Sequence, residues 1–304
     1  MSTLTRGGGL VLSQELFEEI AQVSSKVNSL MNRLVPPDKR PKPLYEASRH
    51  LLVAGGKRLR PFLVVESSRV FGDVPEAAYY VAAGIELLHS FTLVHDDIMD
   101  QDQLRRGVPT VHVVWGVPMA ILAGDLLFAK VYEAVLLGCV EAGLSHGKAL
   151  EVLNEITKAI LEICEGQALD MMFEETESVS EEEYLVMVEK KTAALFKASA
   201  RCGALVSDAA PEYVDAIGEF ARYCGIAFQI VDDVLGVVAD EKKLGKPVGS
   251  DLREGKRTMI VIKALEALSS EERAKLLKVL GNRSASQEEI KEVIDLLVSS
   301  GCVD

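Results

Sequence analysis

A run of apolar residues stepping by three and four along Ala77, Val81, Ile85, Leu88 and Thr92, with a further turn to Met99, constrains the fold most. That step is the spacing of one helix face and cannot be reconciled with the two-residue alternation of a strand. It recurs at Val152, Ile156, Ile160 and Ile163, and again at Ile217, Phe220, Tyr223, Phe228 and Val231. Helix starts are marked by Ser180-Glu181-Glu182-Glu183 and Ser286-Gln287-Glu288-Glu289, in which serine and the third-following glutamate can satisfy each other's free backbone amides. Pro75, Pro118 and Pro211 suit first turns. Only Thr110 to Trp115 reads as extended, and it is expected to be a loop or an irregular helix entry. The expectation is an all-α chain, with a flexible N-terminus at residues 1–12 and a single helical domain over 13–304.

Charge narrows the function. Among 304 residues, 33 Lys+Arg against 46 Asp+Glu leave a net charge of −13, which argues against nucleic acid held through phosphate contacts. The longest apolar candidate, Val117 to Gly138, is interrupted by Asp125, Lys130 and Glu133, so no transmembrane helix is expected. The glycine-broken start offers no signal-peptide core, and the five scattered cysteines fit neither a disulfide framework nor a zinc pattern. A cytoplasmic protein with reduced thiols is expected.

The acid is not evenly spread. Asp96-Asp97-Ile98-Met99-Asp100 ends the apolar run described above, and on a helix Asp96 and Asp100 share a face about 6 Å apart. Unpaired carboxylates there would repel; a cation between them removes the conflict, and oxygen ligands with room for water favour Mg²⁺. Gln229-Ile230-Val231-Asp232-Asp233 ends a second apolar helix and leads through Asp240 to Lys246, Asp251 and Lys256. Two acidic shelves, each followed by basic residues, are the signature of a metal-bridged polyphosphate. Gly166-Gln167-Ala168-Leu169-Asp170 places an amide and a carboxylate on one face, and Lys190-Lys191-Thr192 interrupts a later helix. A structural salt bridge from Asp170 to Lys191 is the plain alternative for that pair. Gly55-Gly56-Lys57-Arg58-Leu59-Arg60-Pro61 lets backbone approach an anion, but it lacks the spacing and the preceding strand of a nucleotide-binding P-loop.

GGKRLRP, LVHDDIMDQDQLRRG, GQALD, KTAALF, FQIVDDVLG and GKPVGSDLREGKRT follow one another between about Leu44 and Leu265. In these motifs and their order the chain resembles the trans-prenyl diphosphate synthases, and among them the archaeal geranylgeranyl diphosphate synthases. The resemblance implies a homodimeric bundle of long helices around a deep cavity. It also implies Mg²⁺-dependent head-to-tail condensation of isopentenyl diphosphate with an allylic diphosphate: dimethylallyl, geranyl or farnesyl. By the same resemblance, Asp96, Asp100 and Asp232 would bind a three-Mg²⁺ cluster, with Asp170 as a further ligand and Asp97 and Asp233 supporting. Arg105, Lys191 and Lys246 would contact the allylic diphosphate, with Lys256 nearby. Lys57, Arg60, His89 and Arg106 would hold isopentenyl diphosphate, and Thr192 and Gln229 would line the reacting carbons. The chain departs from the family's common DDxxD pattern at Gly236, which leaves Asp240 with only a weak claim to the site.

In the family, bulk five residues before the first acidic cluster closes the product pocket. Phe91 stands there and implies a C20 product, although Thr92 aligns better with the face of Asp96. C15 or C25 products are the alternatives. An HD-type metal-dependent phosphohydrolase, suggested by His95-Asp96 with His50 and His89, is a rival, as is a non-catalytic prenyl synthase subunit. A di-iron protein lacks its second ExxH, and a terpene cyclase would not need the Lys57, Arg60, His89 and Arg106 set.

Overall fold

The computed structural model describes residues 14–176, 178–238 and 248–303, and the segments expected to be helical are helical there. In chain order, α1 is Gln14–Leu34, α2 Lys42–Val53, α3 Leu59–Arg69 and α4 Glu76–Met99. A two-stranded turn, β1 Leu104–Arg105 and β2 Val108–Pro109, leads to α5 Val111–Trp115 and α6 Val117–Ala142. Then come α7 His146–Glu175 and α8 Glu181–Val188, followed by a π-helical turn at Glu189–Ala193 that runs into α9 Ala194–Val206. The series ends with α10 Pro211–Val238, α11 Ser250–Glu254, α12 Met259–Ala267, α13 Ser270–Val279 and α14 Gln287–Ser299.

The expected capping boxes are present at Ser180 and Ser286, and a third, at Ser269, opens α13. Of the two alternatives for Thr110 to Trp115 the helix entry is the one found: Thr110 precedes the short helix α5, which leads into α6, and the extended backbone lies just upstream, where Leu104 pairs with Pro109 and Arg105 with Val108. The strand-forming residues Val113 and Val114 are helical because α5 is folded onto α6 and α4.

α4 is the spine. Ala78, Val81, Ala82, Ile85, Leu87 and Leu88 are fully buried on all its sides, by α1, α3, α6 and α9. Each large aliphatic so placed contributes about 1.5–3 kcal/mol. By length and composition this helix, more than Val117 to Gly138, is apolar enough to cross a membrane, yet 72% of its most apolar window lies inside the protein. That is the burial of a core helix.

α10 overturns one expectation. Phe220, Tyr223 and Val231 point outward, each more than half exposed, and the buried stripe is Val214, Gly218, Ala221 and Gly225. Small residues are needed because the π turn passes so closely: a Cβ on Gly225 would stand 2.7 Å from Ala193 Cα. On the opposite side, a Cβ on Gly166 of α7 would stand 2.3 Å from the backbone nitrogen of Lys191. The π turn is thus wedged between two helices at backbone contact distance.

Behind the main core lie two smaller apolar clusters. One joins the end of α10 to α11–α14, and the other joins Phe173, Val179, Tyr184, Met187, Val188 and Ile262 across α7, α8 and α12. The second cluster forms part of the wall beside the site.

Candidate active site

The C-terminal ends of α4 and α10, the second half of α7, the π turn and the loop before α12 converge on a cavity of about 350 Å³. Asp96 and Asp100 enter it from α4, Gln167 and Asp170 from α7, and Lys191 and Thr192 from the π turn. Gln229, Asp232 and Asp233 enter from α10, with Asp251 and Lys256 from α11 and the loop after it. Helical spacing accounts for each set: four residues separate Asp96 from Asp100 and Gln229 from Asp233, and three separate Gln167 from Asp170.

Asp97 corrects the expectation of a ligand-side role. It is fully buried and does not line the cavity, because one residue around the helix from Asp96 turns it through about 100°. There it accepts from Arg105 Nε at 2.7 Å, and Arg105 also holds Asp102 at 2.7 Å. Burial pushes the Asp97 carboxyl up to about 6, against the pull of Arg105. Burial alone would lower Arg105, but Asp97 and Asp102 outweigh it and raise it. Arg105 itself does reach the cavity.

The remaining charges on this side are cross-linked. Lys256 Nζ lies 2.9 Å from Asp100, 3.1 Å from Glu254 and 3.8 Å from Asp170, and Lys191 lies 2.5 Å from Asp170. The Asp170–Lys191 salt bridge therefore exists, inside the cavity itself. Burial works against the charge of Lys256, but Asp100 and Asp170 outweigh it and hold its pKa well above the usual lysine range. For Asp100 the same cations outweigh burial and lower the carboxyl, whereas burial raises Asp96, helped by repulsion from Asp100.

The α10 side is held differently. Asp233 accepts from the Tyr184 hydroxyl at 2.6 Å and from Gln229 Nε2 at 2.9 Å, and the Thr192 hydroxyl donates to Gln229 Oε1 at 2.8 Å. Burial raises the Asp233 carboxyl to about 6 in spite of these two donors. Asp232, next in the chain, is exposed at the cavity rim.

The glycine-rich loop supplies the basic wall. Arg58 is buried and spends its donors on Glu86 at 2.7 Å, Asn28 at 3.0 Å and the carbonyls of Leu52 and Gly55. Arg106 ties down the carbonyls of Leu51 and Gly55 from the other side, and burial lowers its pKa. With those anchors in place Arg60 turns into the cavity, 4.7 Å over the Phe196 ring and 3.4 Å from His89 Nε2. Arg60 keeps a buried Nε with no partner, and burial brings its pKa down to about 10, so it stays cationic at neutral pH. His89 is held well below its usual range by burial and then by Arg60 and Arg106, so it is a neutral imidazole. Lys57 is exposed and, like Arg106, is not among the residues lining the cavity. Lys246 and Asp240 lie outside the described residues.

The donor set suits Mg²⁺. It is all carboxylate oxygen, and the buried Gln167 Oε1 faces the cavity with no protein donor, an acceptor suited to a metal-bound water. Among the described residues no three His, Cys, Asp or Glu side chains close on one point. Mg²⁺ characteristically takes one or two carboxylates and completes its shell with water and substrate phosphate. The histidines do not gather as an HD-type site would require: His50 Nε2 donates to Pro109 O beside Trp115, and His95 packs against α6 near Ile121 O.

Thr92 lines the cavity and donates to His89 O at 2.8 Å, whereas Phe91 does not line it. Phe91 begins an aromatic stack between α4 and α6, with ring centroids 4.7 Å from His95 and 5.1 Å from Phe128, and Phe128 continues to Tyr132 at 5.5 Å. Sequence reasoning missed Tyr184, which lines the cavity from α8, and Arg283, which donates to Asp100 O at 2.9 Å. It also missed Arg257, a cavity residue whose Nε and Nη1 are buried without partners.

Residues 41–297 match the polyprenyl synthetase family. The chain is 51% identical over 276 residues to a geranylgeranyl diphosphate synthase of Sulfolobus acidocaldarius, covering 91% of this chain and 82% of that one. It is 44% identical over 272 residues to a geranylfarnesyl diphosphate synthase of Aeropyrum pernix, covering 89% and 83%. The crystal structure of a geranylgeranyl pyrophosphate synthetase from Pyrococcus horikoshii superimposes with a TM-score of 0.86 at 48% identity, covering 96% of this chain and 87% of that one. With that fold, those motifs and a single cavity that gathers them, the chain belongs to the polyprenyl synthetase family of prenyltransferases.

Proposed function

We propose that this protein condenses isopentenyl diphosphate head-to-tail with an allylic diphosphate and releases geranylgeranyl diphosphate, a C20 product. The observation that carries the reading is the sharing of one cavity by Asp96, Asp100, Asp170 and Asp232 with Lys191, Lys256, Arg60 and His89. A carboxylate wall and a basic wall so close together suit two diphosphates, one of them bridged by metal. Mg²⁺, held by Asp96, Asp100, Asp170 and Asp232, would supply divalent charge that lowers the cost of diphosphate departure.

The chain's own residues do the rest. Lys191 and Lys256 exchange their carboxylate partners for phosphate oxygens, Arg105 is held ready by Asp97 and Asp102, and Lys246 joins them. As the allylic C–O bond breaks, its electron pair leaves with diphosphate, and these cations stabilise the charge that develops there. Thr192 and Gln229 present oxygens to the carbocation. Isopentenyl diphosphate is held by Arg60, neutral His89, Arg106 and Lys57, the last two moving in from outside the cavity lining. Its double bond gives a pair to the cation, and the proton lost next goes to the departing diphosphate, so no side-chain base is needed. Asp97 and Asp233 serve as positioning groups.

The stack from Phe91 through Phe128 is proposed as the floor under the growing chain. Phe91→Ala is expected to extend the product beyond C20 in a chain-length assay; an unchanged product removes Phe91 from that role. Val113, Val114, Val117, Ile121 and Leu122 form an exposed apolar face on α5 and α6, which supports a homodimer. The reading places the enzyme in the cytoplasm. Incubating it with Mg²⁺, isopentenyl diphosphate and each of the C5, C10 and C15 allylic diphosphates should give C20. Hydrolysis alone, or a cyclised hydrocarbon, overturns the assignment.

A further inference from the structure

Tyr184, almost wholly buried in α8, stands at the head of a chain of hydrogen bonds that ends at Thr192 in the cavity wall. The Tyr184 hydroxyl donates to Asp233 Oδ2, 2.6 Å away. The other Asp233 oxygen faces Gln229 Nε2 at 2.9 Å. A carboxylate only accepts, so the amide must turn its NH₂ group toward Asp233 and its carbonyl oxygen toward Thr192. Thr192 Oγ1, 2.8 Å from that carbonyl, can then spend its hydrogen only there. The direction of each of these three hydrogen bonds is thus fixed, and the series starts at Tyr184.

We propose that Tyr184 is a positioning residue for the condensation: through Asp233 and Gln229 it commits the Thr192 hydroxyl hydrogen, so that oxygen lone pairs face the allylic carbon. The inference rests on the condensation reading given above and adds to it a residue that does not touch substrate. An acceptor oxygen fixed before ionisation stabilises the cation without reorganising, whereas a freely rotating hydroxyl would spend part of its time presenting hydrogen. Without the Tyr184 oxygen, Asp233 loses one of its two donors, Gln229 can turn over, and the Thr192 hydroxyl is released. The cation then lives longer beside a looser wall and is open to water, which adds its oxygen to carbon, loses a proton and gives the allylic alcohol.

The test is Tyr184→Phe, which deletes one oxygen and keeps the ring. The readouts are kcat, both KM values, and the division of labelled allylic diphosphate between elongated product and alcohol. The expected result is a kcat roughly tenfold lower with both KM values within about twofold of wild type, and a several-fold larger share of alcohol. In a Thr192→Val background the same change should cost almost nothing further, because the group it positions is gone. Unchanged kcat and alcohol share in Tyr184→Phe, or an equal loss in the Thr192→Val background, overturns the inference. A wild-type enzyme that makes no elongated product would instead overturn the condensation reading.

Discussion

The two acidic shelves look alike in sequence and are stabilised by opposite means. On α4, carboxylates are met by cations: Arg105 beside Asp97 and Asp102, and Lys256 beside Asp100. On α10, Asp233 is met by a phenol and an amide, neither of them charged. The difference separates two kinds of work. A lysine pair can be traded when metal and phosphate bring charges of their own, so the α4 shelf is built for exchange. Neutral donors have no such substitute, so the α10 shelf is a fixed frame against which the exchange happens.

The largest effect should come from removing a carboxylate that faces the cavity. Asp100→Ala is expected to lower kcat by roughly 10³-fold, as for the loss of a main stabilising group at a reacting centre. Activity within a factor of a few of wild type would remove the α4 shelf from the chemistry. Next in size is Lys256→Met in the ligand-free protein, which takes from buried Asp100 the lysine 2.9 Å away and should cost about 3 kcal/mol in urea unfolding. Exchange predicts that Mg²⁺ with a diphosphate restores most of that stability. On the other shelf, Tyr184→Phe should cost only about 1 kcal/mol, and ligand should not restore it. Equal recovery at both sites would erase the distinction.

Smaller still is a pH effect. In the metal-free protein Asp97 and Asp233 sit at about 6, above the ordinary 3.8, so the folded state binds their protons more tightly than the unfolded chain does. Their contribution favours folding fully below pH 3.8 and is lost as pH rises through 6. Thermal unfolding between pH 4 and 7 should show that loss in the wild type and much less of it in Asp97→Asn with Asp233→Asn. The smallest effect is a control far from both shelves: Ser286→Ala removes the α14 cap, costs about 1 kcal/mol and leaves kinetics untouched.

Much of the bundle was legible because helix signals are local. The Ser180 and Ser286 caps and the spacing along α4 need only neighbouring residues, and the structure bears them out. The burial face of α10 was misread because its aromatic residues face outward, while Gly218, Ala221 and Gly225, which look uninformative, make the close contact. At the site, the motifs announced which carboxylates and bases matter. Of the partners, the sequence offered the Asp170–Lys191 pair but not the one between Lys256 and Asp100, which meet across 156 residues, a separation at which pattern carries no signal. Adjacent letters also hide the 100° between neighbouring side chains on a helix, which turns Asp97 away from the cavity that Asp96 enters. Tyr184 went unnoticed for want of charge.

The π turn at Glu189–Ala193 has the geometry of a one-residue insertion in an otherwise continuous helix. It therefore works as a phase setter, deciding which letters of Glu-Lys-Lys-Thr-Ala are read inward. Shortening that stretch by one residue would relax it to ordinary helix and rotate everything on one side by a single step, trading the places of neighbouring side chains without altering any of them. Gly166 and Gly225 hold the phase by leaving the backbone no room to slip. Two residues without side chains thereby govern where a lysine and a threonine point.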